Sequence, residues 1–596
     1  MKKNNFIVFL LLLLFGFLSV LSMWNDSAIV DEGPHLPAGY SYLTQKDMRL
    51  NPEHPPLLKD LAAIPLLFMN INFPSQIKSW TDDINGQWDF GHYFLYNSGN
   101  DAQNMMRAGR LPIILISLLL GFFVFKFASE LWGKNIGFLA LFLYVFSPTI
   151  LAHTRFVTTD VGAAAGFFIS YYYFYRWLKS PTLKNSLFFG IVFGLALLTK
   201  FSTILLPLIF AFLIFIWFLA NKKRVLESAK LYIGGFILSS IVALFVVGMV
   251  YVWHVWNYPP ERQLNGTIFT LGSFGFQPAV DFVVWLVKSN FIFSRALGQY
   301  FLGVLMVLQR QAGGNTTYYL GEISGTGSVS YFPLMYLVKE PVTYILLVLF
   351  ALWLFVRDLK NSYSNVLKNI RINILDNFVE LGALAVIVVY WFVSIRSNLN
   401  IGVRHLIPTL PFIYLLTARQ VGFWIKATTE RISNYQGFLQ VWGLYWRSFK
   451  RILIIFVLLL WASLSVVFTF PAFLAYFNEF GGGPNGGYKI VTDSNLDWGQ
   501  DLLRLSRFVK QNNIQSIGVD YFGGGDVGYY MGNTARMFDR EIPQRGWLAV
   551  SATFLQVACQ PQYVGSCHYN QRSYVWLDQY KPVAKIGYSI FIYKIE

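Results

Sequence analysis

The sequence predicts an α-helical polytopic membrane protein of about eleven transmembrane helices with a small extracytoplasmic α/β domain at its C-terminal end. Three observations lead there. Of 596 residues, 55% are hydrophobic and only 13% charged, where an ordinary soluble domain has roughly 25% charged residues. Apolar runs of near-membrane length recur from residue 6 to residue 474. Beyond them, a GGGPNGG stretch at 481–487 precedes segments whose apolar residues follow strand patterns.

The runs lie at about 6–23, 111–127, 136–151, 161–178, 186–199, 203–220, 231–253, 340–356, 378–395, 405–420 and 452–474. Most approach the ~17–25 residues that a spanning helix needs. The first follows Lys2 and Lys3 without a small-x-small cleavage site, so it reads as a retained anchor rather than a signal peptide. Many Trp and Tyr residues stand at the ends of runs, as rings anchored at a membrane interface do.

Alternate loops carry the cations: Lys126 and Lys134; Arg176, Lys179 and Lys184; Lys222, Lys223 and Arg224; Arg357, Lys360 and Lys368; Arg419, Lys426 and Arg451. By the positive-inside rule these loops are cytoplasmic. An odd number of spans then leaves the N-terminus inside and the last ~120 residues outside. The net charge of +16 is accordingly loop charge that fixes orientation, not a nucleic-acid patch.

Three long segments fall on the outer side: 24–110, 254–339 and the C-terminal domain at 488–596, reached through the Gly-rich linker. In that domain strands are expected at YKIVTD, SIGVDYF, WLAVSAT and KIGYSIFIYKI, with a helix from Asp497 to Gln511. Its two cysteines, Cys559 and Cys567, are the only ones in the chain, and outside the cytoplasm they are expected to form a disulfide. Gly523, Gly525 and Gly528 match G-x-G-x-x-G after a predicted strand, but no amphipathic helix follows. The motif therefore reads as a turn or a close approach of backbones, not a dinucleotide site.

Chemistry concentrates between Val30 and Lys59, where Asp31, Glu32, His35, Glu53, His54 and Lys59 follow directly on a membrane-length run. Charges there cost solvation energy, which makes the cluster a functional-site candidate. Paired acids at an interface of low dielectric suit a general base for a hydroxyl. Cations available from the same side, namely Lys59, His54, Arg155 beside Asp160, Lys200, Arg396, and Arg404 with His405, suit an anionic substrate carrying a lipid tail, such as a polyprenyl phosphate.

DEGPHLPAGYSYL and LNPEHPPLLK, then RFVTTD, LLTKFS, LVKEP and GVRHLIPTLPF, resemble in this order the membrane glycosyltransferases of the GT-C fold, specifically family 39. That family includes protein O-mannosyltransferases and the aminoarabinose transferases of lipid A. The resemblance covers roughly residues 1–475; TDSNLDWGQDL further on resembles a module of bacterial polyprenyl-phosphate-dependent glycosyltransferases. It implies inverting transfer of one sugar from a dolichyl or undecaprenyl phosphate to a hydroxyl or phosphate of a protein, lipid or glycan. The expected setting is the outer face of a bacterial or archaeal plasma membrane.

By motif position Asp31 is the implied base, Glu32 completes the acidic pair, and Asp160 orients donor or acceptor. His54 and Arg404 are the implied phosphate contacts, with Glu53, Lys59, Arg155, Lys200 and His405 as further substrate-binding candidates. No cofactor is required. A divalent metal, used by some members, would find ligands in Glu53 and a His. A transporter or flippase of a lipid-linked sugar is the alternative, but it would carry inverted repeats and charges near the bilayer midplane, whereas these charges sit at one face.

Overall fold

The computed structural model describes residues 3–220, 225–368, 370–432, 438–557 and 573–596. Cys559 and Cys567 lie outside the described residues, as do Lys222, Lys223 and Arg224 of the orientation argument. The protein is a multi-pass helical membrane protein with a small mixed sheet near its C-terminal end.

Every expected apolar run coincides with a helix or a bent helix pair. Among the described residues seven helices are long and apolar enough to cross a membrane, or nine if each of two bent pairs is one span. Both bends sit at prolines. Lys134–Val145 and Pro148–Thr154 meet at 62°, because the residue before a proline leaves the helical region; the Ser147 hydroxyl then caps the new helix by accepting from Ile150 N–H at 3.2 Å. Tyr331–Lys339 and Val342–Asp358 meet at 113° across Pro341.

The expected count of about eleven exceeds this number for a physical reason. Asp160–Lys179 is charged at both ends and enclosed by other helices, Leu183–Leu197 has only 15 residues, and Leu410–Ile432 ends in a polar stretch. Leu183–Leu197 packs tightly all the same, because Gly190 and Gly194 face Ser239 and Ala243 carbonyls that an added Cβ would meet at 2.8 Å. Ile292–Gly313 satisfies the length and apolarity of a span although its sequence, interrupted by Arg295, Gln299 and Arg310, gave no such expectation. Phe293 at its start packs against Phe245, two turns from the end of Ala229–His254, and Arg310 near its finish lines the cavity described below.

Glu130 accepts from Tyr172, Arg176 donates to the same hydroxyl, and Arg419 lies over Trp132, so these residues share the end of the bundle opposite Asp31. The three long segments expected outside meet one another: Ser27 N–H donates to the Gln500 carbonyl, Asn257 N–H to the Lys46 carbonyl, and Lys339 Nζ to the Asn495 carbonyl.

The C-terminal sheet has the order Ala535–Arg536, Ile517–Asp520, Gly546–Ser551, Ile590–Ile595, Ala584–Ile586, with two parallel pairings followed by two antiparallel ones. Leu502, Leu505 and Val509 of the helix Leu502–Gln511 cover one face of it. KIGYSIFIYKI forms a hairpin rather than one strand, because Gly587 and Tyr588 both adopt positive φ, the requirement of a tight two-residue turn. YKIVTD is not a strand: it winds into 3₁₀ turns at Gly487–Lys489 and Asp493–Asn495, and only Val491 bridges to Tyr319. The glycines at 481–487 form consecutive tight turns, the first capped by the Asn478 side chain. In the G-x-G-x-x-G stretch, a Cβ on Gly523 would strike Gly499 and one on Gly524 would strike the Ile29 carbonyl, so these glycines serve a close approach of backbones.

Candidate active site

Glu32 opens the helix Glu32–Gln45 and folds its carboxylate back onto Ile29 N–H at 3.0 Å. The same carboxylate accepts Val157 N–H at 2.9 Å and is gripped by Arg110 through Nε at 2.7 Å and Nη2 at 2.6 Å. Both partners are fully buried. Glu32 is therefore a structural pillar with no free oxygen for substrate, which corrects the expectation that it completes a catalytic pair.

Asp31, one residue earlier, faces the cavity. Its Oδ2 lies 2.5 Å from Arg404 Nη1, and the same nitrogen lies 3.7 Å from Asp160 Oδ2. Lys200 Nζ completes the array at 2.5 Å from Asp160 Oδ1. Charges thus alternate Lys200, Asp160, Arg404, Asp31. Each member arrives from a different element: Asp160 begins a helix, Lys200 follows the end of another, and Arg404 sits in the 3₁₀ turn Val403–Thr409 after Gly402. Burial pushes the Asp31 carboxyl up, but the Arg404 and His35 charges beside it hold it below its ordinary value, so it is ionised at neutral pH. Asp160 Oδ2 is buried and accepts no hydrogen bond, and Arg404 Nε has no acceptor.

The array lines a cavity of about 200 Å³ together with Glu53, His54, His405 and Arg310. One wall is apolar, built by Phe201, Leu205, Val304, Val307 and Leu308. Gln87 and Trp88, from the short helices between residues 57 and 97, close another side. His54 stands edge-to-face on His35 at 4.9 Å, and His35 Nδ1 bonds the Val157 carbonyl at 3.0 Å. Burial, with His35, Lys59, Lys200 and Arg310 nearby, pushes His54 well below its usual range, so it enters the site neutral and its buried Nδ1 has no partner. His54 thus joins the cavity as a neutral imidazole, not as a cation.

Three expected cations, Lys59, Arg155 and Arg396, are absent from the lining, Arg396 lying over the Phe392 ring. Lys59 Nζ is spent on the Asn51 carbonyl, the Asn51 side chain and the Tyr42 hydroxyl, each at 2.9 Å, and on the His54 carbonyl at 2.8 Å. It shapes the loop that presents Glu53 and His54. Arg155 is fully buried against Asp26 at 3.0 Å, the Ser22 carbonyl at 2.8 Å and the Pro471 carbonyl at 2.9 Å. It ties the first helix to the last span. Arg310 was missed because no helix was expected at Ile292–Gly313, so nothing in the sequence brought its charge to the other site residues. Among the described residues no three His, Cys, Asp or Glu side chains converge as metal ligands; Glu53 bonds Asn85 and Gln87 instead.

Residues 102–253 match the family model described as dolichyl-phosphate-mannose-protein mannosyltransferase, and over that stretch the resemblance read from the motifs is borne out. No curated protein matches the chain. Among solved structures, the chain is similar to ArnT from Cupriavidus metallidurans bound to undecaprenyl phosphate, at 11% identity over 99% of this chain and 98% of that one, TM-score 0.43. It is similar also to the oligosaccharyltransferase AglB from Archaeoglobus fulgidus in complex with an inhibitory peptide and a dolichol-phosphate, at 12% identity over 94% of this chain and 71% of that one, TM-score 0.43. The apo form of the Archaeoglobus fulgidus oligosaccharyltransferase gives 14% identity over 93% and 71%, TM-score 0.47.

Proposed function

We propose that this protein is an integral membrane glycosyltransferase of the GT-C type that moves one sugar, with inversion, from a polyprenyl phosphate to an acceptor hydroxyl. The observation that carries the reading is the Lys200–Asp160–Arg404–Asp31 array in a cavity whose other wall is apolar. The family match over residues 102–253 supports the donor class.

In this mechanism the acceptor oxygen attacks the anomeric carbon while Asp31 takes its proton. The bond from that carbon to the phosphate oxygen breaks, and its electron pair leaves on the polyprenyl phosphate. Arg404 and Lys200 stabilise the charge that develops there. Phosphate so stabilised needs no protein acid. The apolar wall receives the first isoprene units and keeps water from competing with the acceptor. The proposed step draws on no divalent cation, and Glu53 is held by the Asn85 and Gln87 side chains.

Purified protein incubated with a panel of radiolabelled polyprenyl-phosphate sugars, mannose first, tests this. One donor is expected to yield free polyprenyl phosphate and a labelled acceptor, with chelator present or absent. A protein that moves the intact lipid-linked sugar across vesicles, and cleaves none, would be a flippase.

A further inference from the structure

The C-terminal segment 494–500 reaches into the site from the far end of the chain. The Trp498 indole lies face-on to the Arg404 guanidinium, 4.2 Å from ring centroid to Cζ, and is almost wholly buried. The Trp498 carbonyl accepts Val30 N–H at 3.1 Å, fixing the backbone one residue before Asp31. One residue therefore touches both sides of the Asp31–Arg404 pair. Its neighbours grip the turn that carries Arg404. Asn495 Oδ1 accepts Val403 N–H at 2.9 Å, and the Ser494 hydroxyl donates to the Ile401 carbonyl. Gly402 lies between those two bonds at φ 141°, where a Cβ would strike Ser494 Oγ.

An arginine side chain loses rotamer freedom when its guanidinium is held in one place. A flat ring against one face removes part of it and leaves the edge free for acids or phosphate. With Nη1 on Asp31, Arg404 also keeps an unpartnered Nε. We infer that Trp498 is a positioning residue for Arg404 and Asp31, and that residues 494–498 make the C-terminal domain a structural part of the donor site rather than an appended module. The inference rests on the glycosyltransferase reading for its ligand, a polyprenyl phosphate, but not for its geometry.

The test is a double-substitution cycle on the full-length protein, read in two ways. Binding of farnesyl phosphate, with farnesol as uncharged control, is measured alongside the thermal unfolding midpoint. Trp498→Leu is expected to weaken farnesyl phosphate binding tenfold or more and leave farnesol unaffected; Trp498→Phe, which keeps a ring face, stays within about threefold. In an Arg404→Ala background Trp498→Leu adds less than about twofold, because the residue it positions is gone. Losses that simply multiply in the double variant, or equal losses for Phe and Leu, would overturn the inference. Should Trp498→Leu fail to fold, Ser494→Ala removes one grip at little cost in volume and is expected to show the same dependence on Arg404, in smaller measure. If the wild type binds no farnesyl phosphate, the functional reading falls, and positioning is decided by the midpoints: non-additive shifts of Trp498 and Arg404 variants sustain it, and additive ones end it.

Discussion

Asp31 meets Arg404 at the cavity, while Glu32, next in the chain, is sealed against Arg110. Their substitutions should therefore fail in different ways. Asp31→Asn keeps shape and removes the base, so transfer should fall roughly 100-fold or more while donor binding and folding persist; unchanged transfer would take Asp31 out of the mechanism. Glu32→Gln leaves Arg110 charged and buried, which costs about 3–5 kcal/mol. It should appear as a lowered unfolding midpoint, and a stable, slow enzyme would return Glu32 to the chemistry. Arg404→Ala should weaken donor binding by about 2 kcal/mol or more if its guanidinium meets a desolvated phosphate. The sequence made Asp31, Asp160, Lys200 and Arg404 legible because charge beside apolar runs demands a reason. It could not separate Glu32, Lys59 and Arg155 from them, since that depends on partners such as Arg110 and Asp26, remote in the chain or unremarked in it.

The segment 493–502 was legible as a motif and illegible as structure. A strand followed directly by a helix was expected, yet Asp493 takes positive φ and the chain crosses to residues 27–30 before the helix begins at Leu502. Asp497 in this crossing has Oδ2 on Thr553 N–H at 2.8 Å and Oδ1 buried without a partner. Burial pushes its carboxyl up to about 8, with Asp501 and Asp493 adding to the rise. An acid raised from about 3.9 in the unfolded chain gives stability that is full below that value and lost as pH rises through 8. Asp497→Asn mimics the protonated form, so its unfolding midpoint should exceed that of the wild type by a margin that widens from pH 5 to pH 8.5. A margin independent of pH would mean that Asp497 is ionised in the fold. Ile292–Gly313 was missed for a related reason: periodicity reports where apolar residues lie, not that Arg295 and Gln299 are enclosed by Gln263 and Tyr258.

At the scale of the whole molecule, the site lies at one end of the bundle and the loop cations at Arg176 and Arg419 at the other. Contacts establish that separation but carry no sign, because a bundle looks the same whichever way it is inserted. The sign comes from the basic loops, which the positive-inside rule assigns to the cytoplasm. Ion pairs such as Arg419 with Glu380 do not weaken that assignment, since acids contribute little to the rule. Orientation also decides the biology of the proposed reaction, because a polyprenyl-phosphate sugar presented outside meets secreted or envelope acceptors, and one presented inside meets none of them. The only two cysteines, Cys559 and Cys567, fall in the C-terminal domain and serve as natural reporters. In intact cells, after mild reduction, a membrane-impermeant maleimide is expected to label them. Lys184→Cys, in a variant with both native cysteines replaced by Ser, is expected to label only once the membrane is opened. The reverse pattern would put the Asp31–Arg404 pair in the cytoplasm, where the acceptor would have to be sought among cytoplasmic molecules.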